Sequence, residues 1–420
     1  MTATTDTLFD LVIRNVRIEE DGALADIAVR DGRIASLASN LQCEGVETVD
    51  GQGAFAFAGF VDSHVHLDKA CILDRCRICE GTLAEAVRET ARVKADFDEG
   101  DVYARAARVV EQAISHGTVR MRTFVEIDPR AGFRSFAAIR RIKADYAFAI
   151  DIEICAFAQD GLTNERETVD MIDAALADGA DLVGGCPYTD PDPAGHVDLV
   201  FDLAVKHGVA VDFHLDFDLD PGHTDLPAVI AATMRHGWQG RVAIGHVTNL
   251  SAMTPAEVIM IAHRLAEAGI ALTVLPATDL FLSGRGHDRL VPRGVAPAHV
   301  MAACGVVTSI ATNNILNPFT PLGDASLVRM ANLYANIMQI SRDDDILRVF
   351  DMVGQSAARQ LGAPHGLSVG ADATIVLVDT SGPKAVVREI ARVVAGWKNG
   401  RKSFDNGRIQ IHKPIPEGTR

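Results

Sequence analysis

Hydrophobic and polar positions along this chain fall into three blocks with different periods. From Leu8 to Leu37, short apolar and polar stretches alternate as Leu8–Ile18, Asp26–Arg30 and Arg33–Leu37. A period of two predicts half-buried strands. Asp21-Gly22 and Asp31-Gly32 supply the turns between them. The C-terminal block looks similar, with an apolar β-branched run at Ala373–Asp379, then Val393–Trp397 and Lys402–Phe404 flanking Asn399-Gly400. Between the two blocks, short continuous apolar runs recur at Phe60–His66, Val119–Ile127, Ala147–Phe157, Leu182–Pro187, Val209–Leu215, Arg241–His246, Ala271–Pro276 and Val306–Thr312. Amphipathic segments with helical spacing separate them, among them Leu83–Arg92, Val102–Ser115, Glu167–Leu176 and Pro255–Ala268. Uninterrupted apolar strands alternating with helices predict a parallel sheet covered on both faces. Eight repeats favour a closed barrel, and no G-x-G-x-x-G follows a strand to serve a dinucleotide. The expected fold is α/β: a (β/α)8 TIM-type barrel over residues 57–364, with a small β-sandwich domain formed by both chain ends, 1–56 plus 365–420.

Length and composition agree with this. The chain has 420 residues, against roughly 250 for a minimal barrel. It is 48% hydrophobic and 23% charged, as expected for a globular protein with a sizeable core. The formal net charge of -16 argues against nucleic acid or anionic membrane as a partner. Met1–Asp10 shows no basic segment followed by an apolar run, and no stretch reads as a bilayer span. Seven cysteines form no disulfide framework, so a reducing cytoplasm is expected. The lone C-x-x-C of Cys76 and Cys79 reads as incidental. A small-molecule substrate is the expected partner, and a homo-oligomer remains open.

The segment Ala58-Gly59-Phe60-Val61-Asp62-Ser63-His64-Val65-His66-Leu67-Asp68-Lys69 carries the most chemistry. Residues i and i+2 of a strand point the same way, so His64 and His66 project to one side. His214 and His246 end two further candidate strands. The C-terminal strand ends of a (β/α)8 barrel converge on its site. Packing alone does not explain four histidines at three such ends, because buried imidazole needs partners. Shared ligation of a divalent ion does. The Gly-rich loop Ser283–Arg289 offers Arg285 to an anionic or carbonyl group. Asp279 is a weaker polar candidate.

These motifs resemble the amidohydrolase superfamily, and within it the cytosine deaminase-like branch, over nearly the whole chain. Further matching stretches are Ala156-Phe-Ala-Gln159-Asp-Gly161, Val183-Gly-Gly-Cys-Pro187, His214-Leu-Asp216, Gly245-His246, Leu282-Ser-Gly-Arg285 and Asn317-Pro-Phe-Thr-Pro-Leu-Gly323. The resemblance implies one divalent metal, zinc or iron, on His64, His66 and His214. It implies that His246 assists the attacking water and that Gln159 binds the heterocycle, with Asn314 and Lys69 also lining the substrate pocket. The strand-four end Gly184–Tyr188 has no lysine to bridge a second metal. Two positions depart from the pattern. Asn313 stands where the family places an Asp that ligates the metal and accepts a proton, and Phe217 stands where the deaminases place a proton-shuttling Glu.

An amide cannot accept a proton near neutral pH, so that role must move. Asp216, two residues past His214, is the expected replacement, with His246, Lys69 and Asn313 completing the catalytic group. The expected activity is hydrolysis of a C–N bond in or on a small nitrogen heterocycle (pyrimidine-, triazine- or cyclic-amide-like) by metal-activated hydroxide. The alternative, fed by Asn313, is a non-hydrolytic, lyase-like enzyme or an inactive binding protein on the same barrel.

Overall fold

A computed structural model of the chain describes residues 8–409. The outermost parts of the expected β-sandwich, 1–7 and 410–420, lie outside the described residues. At the N-terminal end, β1 (Phe9–Val16), β2 (Ala25–Arg30) and β3 (Arg33–Ala38) pair antiparallel, and β4 (Gly45–Asp50) joins β1 in parallel. The next strand, β5 (Phe55–Phe57), leaves this sheet.

The barrel follows. Its strands are β6 (Phe60–Val65), β7 (Thr118–Glu126), β8 (Asp151–Ala158), β9 (Leu182–Gly185), β10 (Ala210–Leu215), β11 (Val242–His246), β12 (Ile270–Val274) and β13 (Thr308–Ile310). Each pairs in parallel with its sequence neighbour. Every residue of β6 and of β9 to β12 is buried except Ala210 at the start of β10, as the continuous apolar runs predicted. Closure between β13 and β6 is split. At the C-terminal mouth, the Asn313 N–H donates to the His64 carbonyl and the His66 N–H to the Asn313 carbonyl, both at 2.9 Å. At the other end, the Met352 and Val353 carbonyls accept from Ile310 and Val61 and fill the seam. The closing residue, Asn313, is therefore one of the two that depart from the pattern of the resemblance.

After the barrel, β14 (Ile375–Val378), β15 (Val393–Lys398) and β16 (Arg401–Asp405) form an antiparallel sheet with β5 at its edge. The chain ends thus build two sheets, as expected of a sandwich, exchanging only β5. Their inner faces share one core, in which Leu11, Ile13, Ile27 and Val29 meet Ile375, Leu377 and Trp397. No helix among the described residues is long and apolar enough to cross a membrane.

Candidate active site

The strand ends carry the site. His64 lies near the end of β6, His66 just beyond it, and His214 and His246 at or next to the ends of β10 and β11. The His214 Nε2 lies 3.1 Å from that of His64 and 2.9 Å from that of His66. The ligand atoms of the three all fall within 4.8 Å of one another. Phe124 of β7 and Phe157 of β8 pack against the imidazoles, with ring centroids 4.0 Å from His64 and 4.3 Å from His214 respectively. Space is tight around them: a Cβ at residue 245 would come within 3.1 Å of the His64 ring, which would have to give by a few tenths of an ångström.

Burial pushes all three imidazoles well below the ordinary histidine value, and each neighbouring cation adds to the effect. Neutral rings with converging lone pairs make poor hydrogen bonds to one another and a good ligand set for a divalent ion. Their Nδ1 atoms have no protein partner among the described residues. The donor set therefore fits a metal.

His246 sits 5.3 Å from His214, centroid to centroid. Its Nδ1 meets the Asp279 carboxylate at 2.6 Å. Asp279 is fully buried at the start of the helix Pro276–Leu282, where its other oxygen accepts from the Leu275 N–H. Burial pushes this carboxyl up, and His246 pulls it back. The pairing fixes the imidazole tautomer and leaves Nε2 for the cavity.

The other expected residues separate into two groups. Gln159, Lys69 and Asn314 line the cavity beside His66, His214 and His246. Lys69 Nζ donates to Gln159 Oε1 at 3.0 Å and to Glu126 Oε1 at 2.7 Å. Behind it Lys94 Nζ contacts Glu126, Asp128 and Asp160 at 2.9, 2.6 and 2.7 Å. Burial would raise the Glu126 carboxyl, but the two lysines hold it down to about 2. Asn314 Oδ1 accepts from Asn317 at 2.8 Å. Asn313 is buried with both side-chain amide atoms unpartnered among the described residues.

Asp216 and Arg285 are corrections. The backbone turns at Asp216 (φ 49), ending the strand periodicity that was expected to carry its carboxylate into the site. That carboxylate instead accepts from the Asp225 N–H at 2.9 Å, Thr224 Oγ1 at 2.5 Å and Asn249 Nδ2 at 3.2 Å. It holds a loop and does not line the cavity. Arg285 is exposed, its guanidinium stacked on Phe281 at 4.3 Å. The sequence reading missed Glu126, Lys94 and Tyr188, the last of which lines the cavity. Glu126 does end a barrel strand, which is a usable signal. Lys94 sits in a helix and gives none.

The cavity is nearly closed, with a free volume of about 20 Å³, room for about one water. Leu83, Phe217, Leu282 and Phe319 both line it and belong to a small apolar cluster of their own. In this structure the space beside the histidines is smaller than a substrate ring. Larger surface grooves exist, one of about 610 Å³ beside the helix Pro255–Glu267, but none gathers the histidines.

Comparison with known proteins agrees with this geometry. The chain is 27% identical over 409 residues to N-isopropylammelide isopropyl amidohydrolase of Pseudomonas sp. (strain ADP), covering 94% of this chain and 96% of the relative. It is 29% identical over 366 residues to the pterin deaminase of Rhizobium rhizogenes, covering 84% and 82% respectively. Its structure resembles that of 5-methylcytosine deaminase from Klebsiella pneumoniae liganded with 5-fluorocytosine. That match has a TM-score of 0.90 at 27% identity and covers 96% of this chain and 99% of the other. The Amidohydrolase family pattern matches residues 161–404, more than half of the sequence. The chain belongs to the amidohydrolase family and is a hydrolase acting on carbon–nitrogen bonds.

Proposed function

We propose that this enzyme hydrolyses a C–N bond in or on a small nitrogen heterocycle, using one divalent metal ion, zinc or iron, held by His64, His66 and His214. The observation that supports it most is the convergence of three buried imidazole nitrogens within 4.8 Å. When bound, such an ion supplies Lewis acidity, which lowers the pKa of water to roughly 7. Asn313 is bonded through its backbone to both His64 and His66 and leaves its amide free, so its oxygen is suited to complete the ligand set.

The protein's own groups do the rest. His246 takes the proton of the attacking water at Nε2, because Asp279 occupies Nδ1. Asp279 stabilises the imidazolium that results, and Nε2 can then return the proton to the leaving nitrogen. This assigns to the His246–Asp279 pair the proton transfer that Asn313 and Phe217 cannot perform. Lys69, Gln159 and Asn314 orient the ring by its polar edge. Phe319, 4.7 Å from the Lys69 ammonium, and Phe217 offer flat apolar surface to its faces.

The relatives' heterocycles set the test. Metal-supplemented protein is incubated with pyrimidines, triazines, pterins, hydantoins and cyclic ureas, and released ammonia or amine is measured. At least one ring should turn over, with His246→Asn lowering kcat by roughly 10²–10⁴. No release from any ring by protein that holds its metal would move the lyase-like or binding reading ahead.

A further inference from the structure

We propose that the cavity selects a heterocycle that binds as an anion, with its negative charge on an oxygen of the ring or of a ring carboxylate. This rests on the hydrolase reading above and adds the sign of the substrate's charge. The groups suited to hold a metal are three imidazoles, which ligate only as neutral rings, and the Asn313 amide, which is neutral. A bound ion thus keeps its whole double charge.

No residue lining the cavity is Asp or Glu. The buried carboxylates around it are engaged by other groups: Glu126 by the ammonium groups of Lys69 and Lys94, Asp279 by His246, Asp216 by its own loop, Asp62 by Thr312 and the His64 N–H, and Asp68 by the backbone N–H groups of Lys69 and Glu126. Position 217, on the cavity wall, is phenylalanine. The charged side chain in the wall besides the histidines is Lys69, a cation in an ion pair with Glu126 that keeps one N–H unengaged.

Hydrogen-bonding capacity is biased the same way. Lys69 has three N–H donors, of which Glu126 and Gln159 take two. Asn314 has its oxygen engaged by Asn317, which leaves mainly its NH₂ group. Gln159 accepts from Lys69 and gives one N–H to Cys186 Sγ, keeping a second. A donor-rich wall satisfies oxyanion edges and leaves an amino-edged or cationic ring short of acceptors.

Calorimetry at neutral pH on the metal-loaded protein tests this with three similar rings: uracil (neutral), barbiturate (charge on ring oxygens) and orotate (ring carboxylate). At least one anion should bind about tenfold or more tighter than uracil, the size of one charge-assisted hydrogen bond. A gain for barbiturate alone assigns the charge to the ring, and one for orotate alone assigns it to an attached carboxylate. Lys69→Met should remove most of the gain, weakening the anion by about tenfold more than it weakens uracil. Asn313→Asp, which adds one negative charge without touching Lys69, should also shrink it. Uracil binding as tightly as both anions, no binding of any of the three, or a gain untouched by both variants overturns the proposal. Metal content and amine release, measured on the same preparation, separate the failures: an active metalloenzyme that prefers neutral rings loses this inference alone.

Discussion

Asp279→Asn is the sharpest perturbation of the proton-transfer assignment. The change keeps shape and an oxygen that can accept from His246 Nδ1, now 2.6 Å from the carboxylate. It removes the negative charge beside the imidazolium that forms when His246 takes a proton. Two unit charges about 4 Å apart at an effective dielectric near 20 interact by about 4 kcal/mol. Some of that is already spent, since full burial disfavours the carboxylate and pushes its pKa up. A loss of about 3 kcal/mol in transition-state stabilisation remains, or roughly 10²-fold in kcat. KM should change little, because Asp279 does not line the cavity. The assay is steady-state kinetics on whichever ring the screen identifies, with metal content measured alongside. Asp279 also holds the Leu275 N–H, so a urea midpoint is needed to show that the fold survives. Turnover within threefold of the parent, in folded protein with its metal, would refute the role given to the pair.

Two further outcomes follow from the same geometry. Asp216→Asn should leave kcat within about threefold but cost about 1–3 kcal/mol in urea unfolding, because its carboxylate ties down a loop. A kcat loss comparable to that of His246→Asn would restore Asp216 as the base. Glu126 is held down from 4.5 to about 2 by its lysines, so its stabilisation is complete above about 4.5 and disappears as pH falls toward 2. Glu126→Gln should flatten the acid side of the stability curve in that window. An acid limb identical to that of the parent would show that the buried lysines do not hold it.

The barrel was legible because its strands are short, apolar and evenly spaced, a pattern that depends on burial on both faces. The convergence of His64 and His66 was legible for a related reason: in H-x-H the strand period fixes the direction of both side chains. That logic failed one residue beyond the strand. Asp216 shares parity with His214, but its backbone is left-handed (φ 49), as it is at His246 and Asn313. Periodicity cannot reach past such a turn. Asp279 gained its place through the helix after β12, and Lys94 through hydrogen bonds from the end of the helix Leu83–Lys94 to Glu126, Asp128 and Asp160, contacts that no local pattern encodes. The strands of the two end sheets were legible, but the crossing of β5 into the C-terminal sheet was not, since it depends on the long-range pairing with β14.

The central claim is that one divalent ion on His64, His66 and His214 sustains C–N hydrolysis. Its most direct test is elemental analysis of protein produced with zinc or iron, joined to turnover before chelation, after it, and after metal is restored. The account predicts one ion per chain, loss of both ion and activity with chelator, recovery of both on re-addition, and no retained ion in His214→Ala. Metal-free protein that turns over the same ring despite chelator would contradict it.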